Sequence, residues 1–179
     1  MLYRFLIISN EVEDFMREIK INADASFLQL HNTILKSCGY DDKEITSFTI
    51  CDDDWEKEQE ITLEEMDTSS DQDSYVMATT RLNELLIDEK QHLIYTFDML
   101  AGRMFFMELS QIIPKQNLDE PVVSRQQGTP PPQRLDLEQL MNIGPSTSQD
   151  SDSYIDDDMI SEGYDEEEIS DLDITDGEF

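Results

Sequence analysis

The sequence predicts an α+β protein, in which one main helix packs across a mixed sheet of about five strands, followed by a disordered acidic C-terminal tail. Three observations support this prediction. Several short segments alternate apolar and polar residues, one segment has apolar residues at helical spacing, and acidic residues crowd the last part of the chain.

The first two strands are predicted as a hairpin. Residues 2–9 are mostly apolar but far shorter than the ~18 residues of a membrane span, so they indicate a buried strand. Residues 15–21 alternate apolar and polar side chains, which is typical of a strand with one buried face. Residues 10–14 are then the turn between them.

The main helix is predicted to begin after Ser26 and to end at Gly39. Ser26 and Gln29 have the spacing of a capping box, and apolar residues follow at helical intervals. Glycine ends helices readily because it adopts the left-handed conformation. Further along, three more strands are predicted at residues 47–51, 92–98 and 103–109, with a shorter helix at 81–87.

The chain divides into three predicted parts: an α+β domain over residues 1–118, a proline-containing linker with a short amphipathic segment over 119–149, and an acidic tail over 150–179. The tail has 14 acidic residues and no Lys or Arg. Self-repulsion and a low apolar content predict that it is disordered when alone. Its isolated apolar residues are candidate partner contacts, namely Tyr154, Tyr164, Leu172 and Phe179.

The net charge limits the partners. With 12 Lys and Arg against 42 Asp and Glu, the net charge is −30. So few cations cannot neutralise a run of phosphates, which argues against direct nucleic-acid binding and against anionic membranes. The predicted partner is a protein with a basic surface, and the oligomeric state stays open. Two cysteines without a CxxC pattern, and no signal peptide, predict a cytoplasmic location.

Several of these segments resemble the plasmid pRiA4b ORF-3-like family, small domains often found near mobile elements. The similar segments are residues 27–34, with their Leu-His pair, Gly39-Tyr40, Phe48, the Asp-rich turn before Trp55, and residues 95–98. The chain especially resembles the acidic-tailed form of the family. The resemblance spans roughly residues 2–113 and implies a β-grasp-like fold.

The resemblance also marks three residues: His31, Tyr95 and Asp98. After Asp98 the chain departs from the family, because it continues Met-Leu-Ala-Gly instead of the family's Phe-Gly-Asp with a downstream Trp and His. Chemistry assigned to those family residues therefore does not transfer. His31 is expected as a core or rim histidine, and the alternative is an acid–base histidine oriented by Asp98.

The acidic run before and after Trp55 invites a metal hypothesis, since hard cations prefer carboxylate oxygens. The candidate ligands are Asp52, Asp53, Asp54 and Glu56. As a calcium loop the run fails, because Lys57 and Leu63 occupy the positions that need Gly and Glu. We therefore predict a turn, no metal and no cofactor. Trp55 is expected to pack on the sheet, with a role as partner anchor as the alternative.

The sequence contains no nucleophile elbow, P-loop, dinucleotide fingerprint or paired-cysteine zinc pattern. We therefore predict a non-catalytic binding or adaptor domain whose acidic tail engages basic protein surfaces. Two alternatives stay open: a metal-dependent accessory enzyme of a mobile element, and a nucleic-acid mimic.

Overall fold

The computed structural model describes residues 1–65 and 74–136, which build one sheet and two helices. In chain order the elements are β1 (Leu2–Ser9), β2 (Met16–Asn22), α1 (Phe27–Cys38), β3 (Ser47–Cys51), β4 (Lys57–Thr62), β5 (Tyr75–Val76), α2 (Leu82–Leu85), β6 (His92–Asp98), β7 (Arg103–Ile113) and β8 (Val122–Gln127).

The strands lie in the order β5-β4-β3-β6-β7-β1-β2-β8. All neighbours are antiparallel except β4 and β5, which are parallel, so the sheet is mixed. The α+β class and the mixed sheet are confirmed. The β-grasp-like description stays a prediction.

Helix α1 forms as its sequence predicts. The Ser26 hydroxyl accepts from the Gln29 backbone N–H at 3.2 Å, and the Gln29 side chain accepts from the Ser26 N–H at 3.0 Å. Two otherwise unpaired backbone donors are thereby satisfied. Gly39 ends the helix with φ +67°. The buried side of α1 packs on the sheet and carries Phe27, Leu30, His31, Ile34, Leu35 and Cys38.

The core lies between α1 and one face of the sheet. Phe105 of β7 stands at its centre, in contact with the rings of Phe15, Tyr95 and Phe97 at centroid distances of 4.9, 6.4 and 4.6 Å. Both cysteines are buried and free. Neither helix in the described part of the chain has the length and apolar content needed to cross a bilayer.

The predicted number of strands was wrong: within residues 1–65 and 74–136 the sheet has eight strands, not about five. The three unpredicted strands are β4, β5 and β8. β4 has Ile61 as its one fully buried side chain, and β5 is only two residues long, so neither has a clear apolar alternation. The helix predicted at residues 81–87 is a single short turn, α2.

The third unpredicted strand, β8, lies in the range predicted as linker, so the sheet continues past residue 118. Beyond it, residues 128–134, which we call the strap, are bonded to the domain. Tyr40 donates its hydroxyl to the Pro131 carbonyl at 2.5 Å, and Arg103 donates to the Pro132 carbonyl at 2.7 Å. The first residue of the strap is Gly128, which packs closely on the domain. A Cβ atom at this position would lie 2.5 Å from the Asp14 carbonyl oxygen.

Candidate functional site

The candidate site lies on the outer face, by which we mean the face of the sheet turned away from α1. Side chains alternate between the two faces, so Phe105 faces the core and Phe106 faces outwards. The strand register places Phe106 opposite Ile94 of β6 and Ile8 of β1. Ile8 is 46% exposed. The centre of the outer face is therefore an apolar row that crosses several strands.

Trp55 borders this row in the turn between β3 and β4. Its φ is +66°, a left-handed conformation that bulky residues rarely adopt and that costs about 1–3 kcal/mol. The Asp52 side chain organises the turn, because its Oδ1 accepts from the backbone N–H of Asp54 and of Glu56, both at 2.9 Å. The Trp55 N–H donates to the Asp52 carbonyl at 3.1 Å.

The indole of Trp55 is fixed by two rings of the outer face. It stacks on His92 with ring centroids 4.1 Å apart and planes 2° apart, and it meets Phe106 almost perpendicularly at 5.1 Å. His92 Nδ1 lies 3.1 Å from the Asp52 carbonyl oxygen. A carbonyl only accepts, so Nδ1 carries the hydrogen. The ring of His92 thus connects the turn to the sheet.

Trp55 is half-buried, and its neighbours along the chain are acidic. Asp53, Asp54 and Glu56 are exposed, and we call these three residues the acidic rim. Glu108 of the outer face is already paired with Lys90 at 3.0 Å. The half-buried indole is therefore flanked in the chain by three exposed carboxylates, none of which forms an ion pair within the described residues.

The proposed metal ligands form this turn. Asp52 is occupied by backbone N–H groups, and Asp53, Asp54 and Glu56 are exposed. Within residues 1–65 and 74–136, no group of three or more His, Cys, Asp or Glu side chains is arranged to hold a metal ion.

His31 lies on the other face, inside the core, and is 2% exposed. Its Nδ1 is 2.8 Å from the Tyr95 hydroxyl and 3.3 Å from the Thr46 hydroxyl. Burial lowers the pKa of His31, and the opposing effect of Asp42 is smaller. Burial also raises the pKa of Tyr95, so the pair is neutral at pH 7.

Asp98 does not orient His31, contrary to the alternative drawn from the sequence. It lies 3.6 Å from the Arg103 guanidinium and accepts from the Ala101 N–H at 3.1 Å. Arg103 is 7% exposed and is also bound by both carboxylate oxygens of Glu11. The family-like residues Tyr95 and Asp98 therefore belong to two separate polar groups of the domain.

Sequence reasoning missed His92 and Phe106 as partners of Trp55. They lie 37 and 51 positions away along the chain, and only the strand register brings them together. The predicted tail contacts Tyr154, Tyr164, Leu172 and Phe179 lie outside the described residues.

The family of the chain is shown by a match to a protein-family model. A family model described as plasmid pRiA4b ORF-3-like protein matches residues 5–169. The chain belongs to this family. The match confirms the resemblance seen in the helix, the Asp-rich turn and residues 95–98. It also extends past the strap.

A structural comparison agrees on the fold of this pRiA4b ORF-3-like protein. It is similar to a crystal structure of a protein of unknown function from Methanosarcina mazei Go1, with a TM-score of 0.57 and 16% identity. The similarity covers 70% of this chain and 68% of the other. A search of curated proteins found no match.

Proposed function

We propose that this pRiA4b ORF-3-like protein is a non-catalytic binding domain that engages basic protein surfaces, with Trp55 and the acidic rim as the contact on the folded part. The observation that supports the proposal is the conformation of Trp55. A strained left-handed backbone holds a half-buried indole next to exposed carboxylates of the same turn. Strain of this kind concentrates at ligand contacts.

The chemistry of the site suits an arginine or lysine side chain. An indole attracts a cation over its face, with a contribution of about 0.5–2 kcal/mol that grows as the contact is desolvated. The rim carboxylates add charge-assisted hydrogen bonds to the same group. Because His92 and Phe106 hold the ring in place, binding does not have to order it.

The acidic tail is the second part of the proposal. Residues 150–179 have 14 acidic residues and no Lys or Arg, and this charge attracts cationic surfaces over a Debye length of about 8 Å. Tyr154, Tyr164, Leu172 and Phe179 would then supply apolar contacts. The setting we propose is the mobile-element context in which such domains are often found.

The absence of catalysis in this proposal is supported by His31. The ring nitrogen Nδ1 is bonded to Tyr95 inside the core, and the residue is nearly inaccessible. A general base must reach the proton that it removes.

The site can be tested directly because Trp55 is the sole tryptophan of the chain. Titration of the full chain with nona-arginine should change the Trp55 fluorescence in a saturable way, and nona-glutamate should not. In calorimetry, Trp55→Ala should weaken nona-arginine binding about 3- to 30-fold, the equivalent of the cation–π contribution.

A matched control separates the site from general attraction. Glu13→Gln removes one exposed carboxylate in the β1–β2 turn, away from Trp55, and should leave the affinity nearly unchanged. If Trp55→Ala binds nona-arginine as tightly as the unaltered chain, the tail alone attracts it and the Trp55 site is wrong.

A further inference from the structure

A second surface lies at the opposite edge of the sheet, along β8. In the described part of the chain β8 pairs only with β2, so its other edge offers unpaired backbone N–H and C=O groups. Five of its six residues are exposed, and Val122 is 45% exposed. An open edge of this kind is a template for pairing with another strand.

The edge faces a groove between β8 and the exposed side of α1. The groove has a volume of about 770 Å³. Asn32 and Lys36 line it from the helix, and Val123 and Gln126 line it from the strand. A strand edge beside a helix is the arrangement by which several peptide-binding domains add an extended peptide to their sheet.

One end of the groove opens into a smaller acidic pocket of about 200 Å³. Its wall includes Asp24 and Asp119, and the adjoining groove includes Glu120. Asn22 fixes this end, because its side chain accepts from the Leu118 N–H at 2.9 Å and donates to the Leu118 carbonyl at 2.6 Å. These two bonds fix the backbone next to Asp119, and the carboxylates of the acidic pocket suit a cationic group.

From this arrangement we infer that β8 and α1 bind an extended peptide of a partner protein, and that the acidic pocket takes a Lys or Arg side chain of that peptide. The peptide pairs with β8 antiparallel, as most strands of this sheet do. The pocket lies at the start of β8, since Pro121 borders it. An antiparallel peptide therefore places its basic residue at its C-terminal end.

This inference does not depend on Trp55, which lies in the β3–β4 turn near the other edge of the sheet. It adds a feature that charge attraction lacks, namely pairing through the backbone. Alternate residues of the peptide would point towards the groove, so its sequence would matter at every second position.

The test uses the full chain and a defined probe, an alternating Val-Thr octapeptide with Arg at its C-terminal end. Calorimetry should detect binding, and hydrogen exchange should show new protection of those amides of residues 122–127 that face the open edge of β8. Moving the Arg to the N-terminal end, or replacing it with Glu, should weaken binding roughly three- to tenfold because the acidic pocket loses its cation.

Two N-methylated probes examine the backbone pairing. Methylation at alternate amides removes the donors on one side of an extended peptide only. We expect one of the two alternating patterns to abolish binding and the other to retain it. Equal binding of both patterns, or binding without protection of β8, would overturn the inference.

Variants of the protein complete the test. Asp24→Asn with Asp119→Asn should weaken binding of the Arg probe roughly three- to tenfold, and it should not weaken binding of the Glu probe, because the two carboxylates repel that probe. Glu13→Gln, at the other end of β2, is the control for charge. Protection of the β8 amides reports on this inference, whereas the change in Trp55 fluorescence with nona-arginine reports on the Trp55 site, so failure of the one and failure of the other are distinguishable.

Discussion

The two faces of the sheet give the same residue type different surroundings, as the two histidines show. His31, on the core face, is 2% exposed and bonded to Tyr95 and Thr46. His92, on the outer face, is half-buried and supports the ring of Trp55. The core face satisfies its polar groups internally, while the outer face keeps an indole and carboxylates accessible.

In the function that we propose, this difference separates stability from binding within a single sheet. Phe105 and Phe106 are neighbours in the chain but point to different faces, so we assign stability to Phe105 and support of the Trp55 site to Phe106. The strained backbone conformation of Trp55 also lies on the outer side, where the surrounding structure maintains it. Substitutions at matched positions can therefore test the separation.

The largest effect is expected for the adjacent phenylalanines. Phe105→Ala removes a fully buried ring from the aromatic cluster and should lower the free energy of unfolding by about 3–5 kcal/mol. Phe106→Ala removes a half-buried ring and should cost about 1–2 kcal/mol, yet it should weaken nona-arginine binding because Trp55 loses a support. Urea unfolding of both variants measures the contrast. Equal losses of stability would contradict the difference between the faces.

A smaller effect is expected for the polar partners of the two histidines. Tyr95→Phe deletes the hydroxyl bonded to buried His31 and should cost about 1–3 kcal/mol, because a buried polar group loses its partner. His92→Phe keeps a ring under Trp55 and loses one bond to the Asp52 carbonyl, so it should cost about 1 kcal/mol or less. Thermal unfolding measures the loss of stability in each variant. A larger loss in His92→Phe than in Tyr95→Phe would contradict the difference between the two faces.

The smallest effect is a pH dependence due to His31. Burial holds the pKa of His31 below the ~6.5 of a free histidine. Below this pH the unfolded chain binds a proton on His31 more readily than the native chain does. The contribution of His31 to the free energy of unfolding is therefore complete above about pH 6.5 and is lost as the pH falls below that value. Urea unfolding at pH 7.5 and at pH 5.5 should show a lower free energy of unfolding at pH 5.5. The difference between the two pH values should be smaller in His31→Gln.

The general repulsion of a −30 chain changes in the same pH range, so the difference between variant and unaltered protein is the relevant quantity. A direct NMR titration of the His31 ring provides the independent check. A ring that titrates at or above 6.5 in the folded chain would contradict this prediction.

The sequence predicted much of the core and little of the candidate site, for physical reasons. Helix α1 was predictable because its capping pattern and apolar spacing are local, and β7 because its apolar run is long. The contact of Trp55 with His92 depends on strand register across the sheet. No local pattern encodes it.

The strap shows the same limit. Its prolines predict a linker, yet Tyr40, Arg103 and Asp41 bind it from distant parts of the chain. The pairing of Arg17 with the Gln127 carbonyl, at 2.8 Å, is likewise invisible in the sequence. Neither residue spacing nor composition indicates that a buried guanidinium group donates to backbone carbonyls of a distant segment.

The strap also decides where this protein can be shortened. Arg17 is 4% exposed and Arg103 is 7% exposed, and both donate to carbonyl groups between residues 127 and 133. A fragment ending at residue 118 would remove these acceptors from the buried Arg17 and Arg103. It would also remove β8 and so expose the edge of β2. A self-sufficient minimal fragment therefore has to reach at least Arg134, where the guanidinium closes onto Asp41.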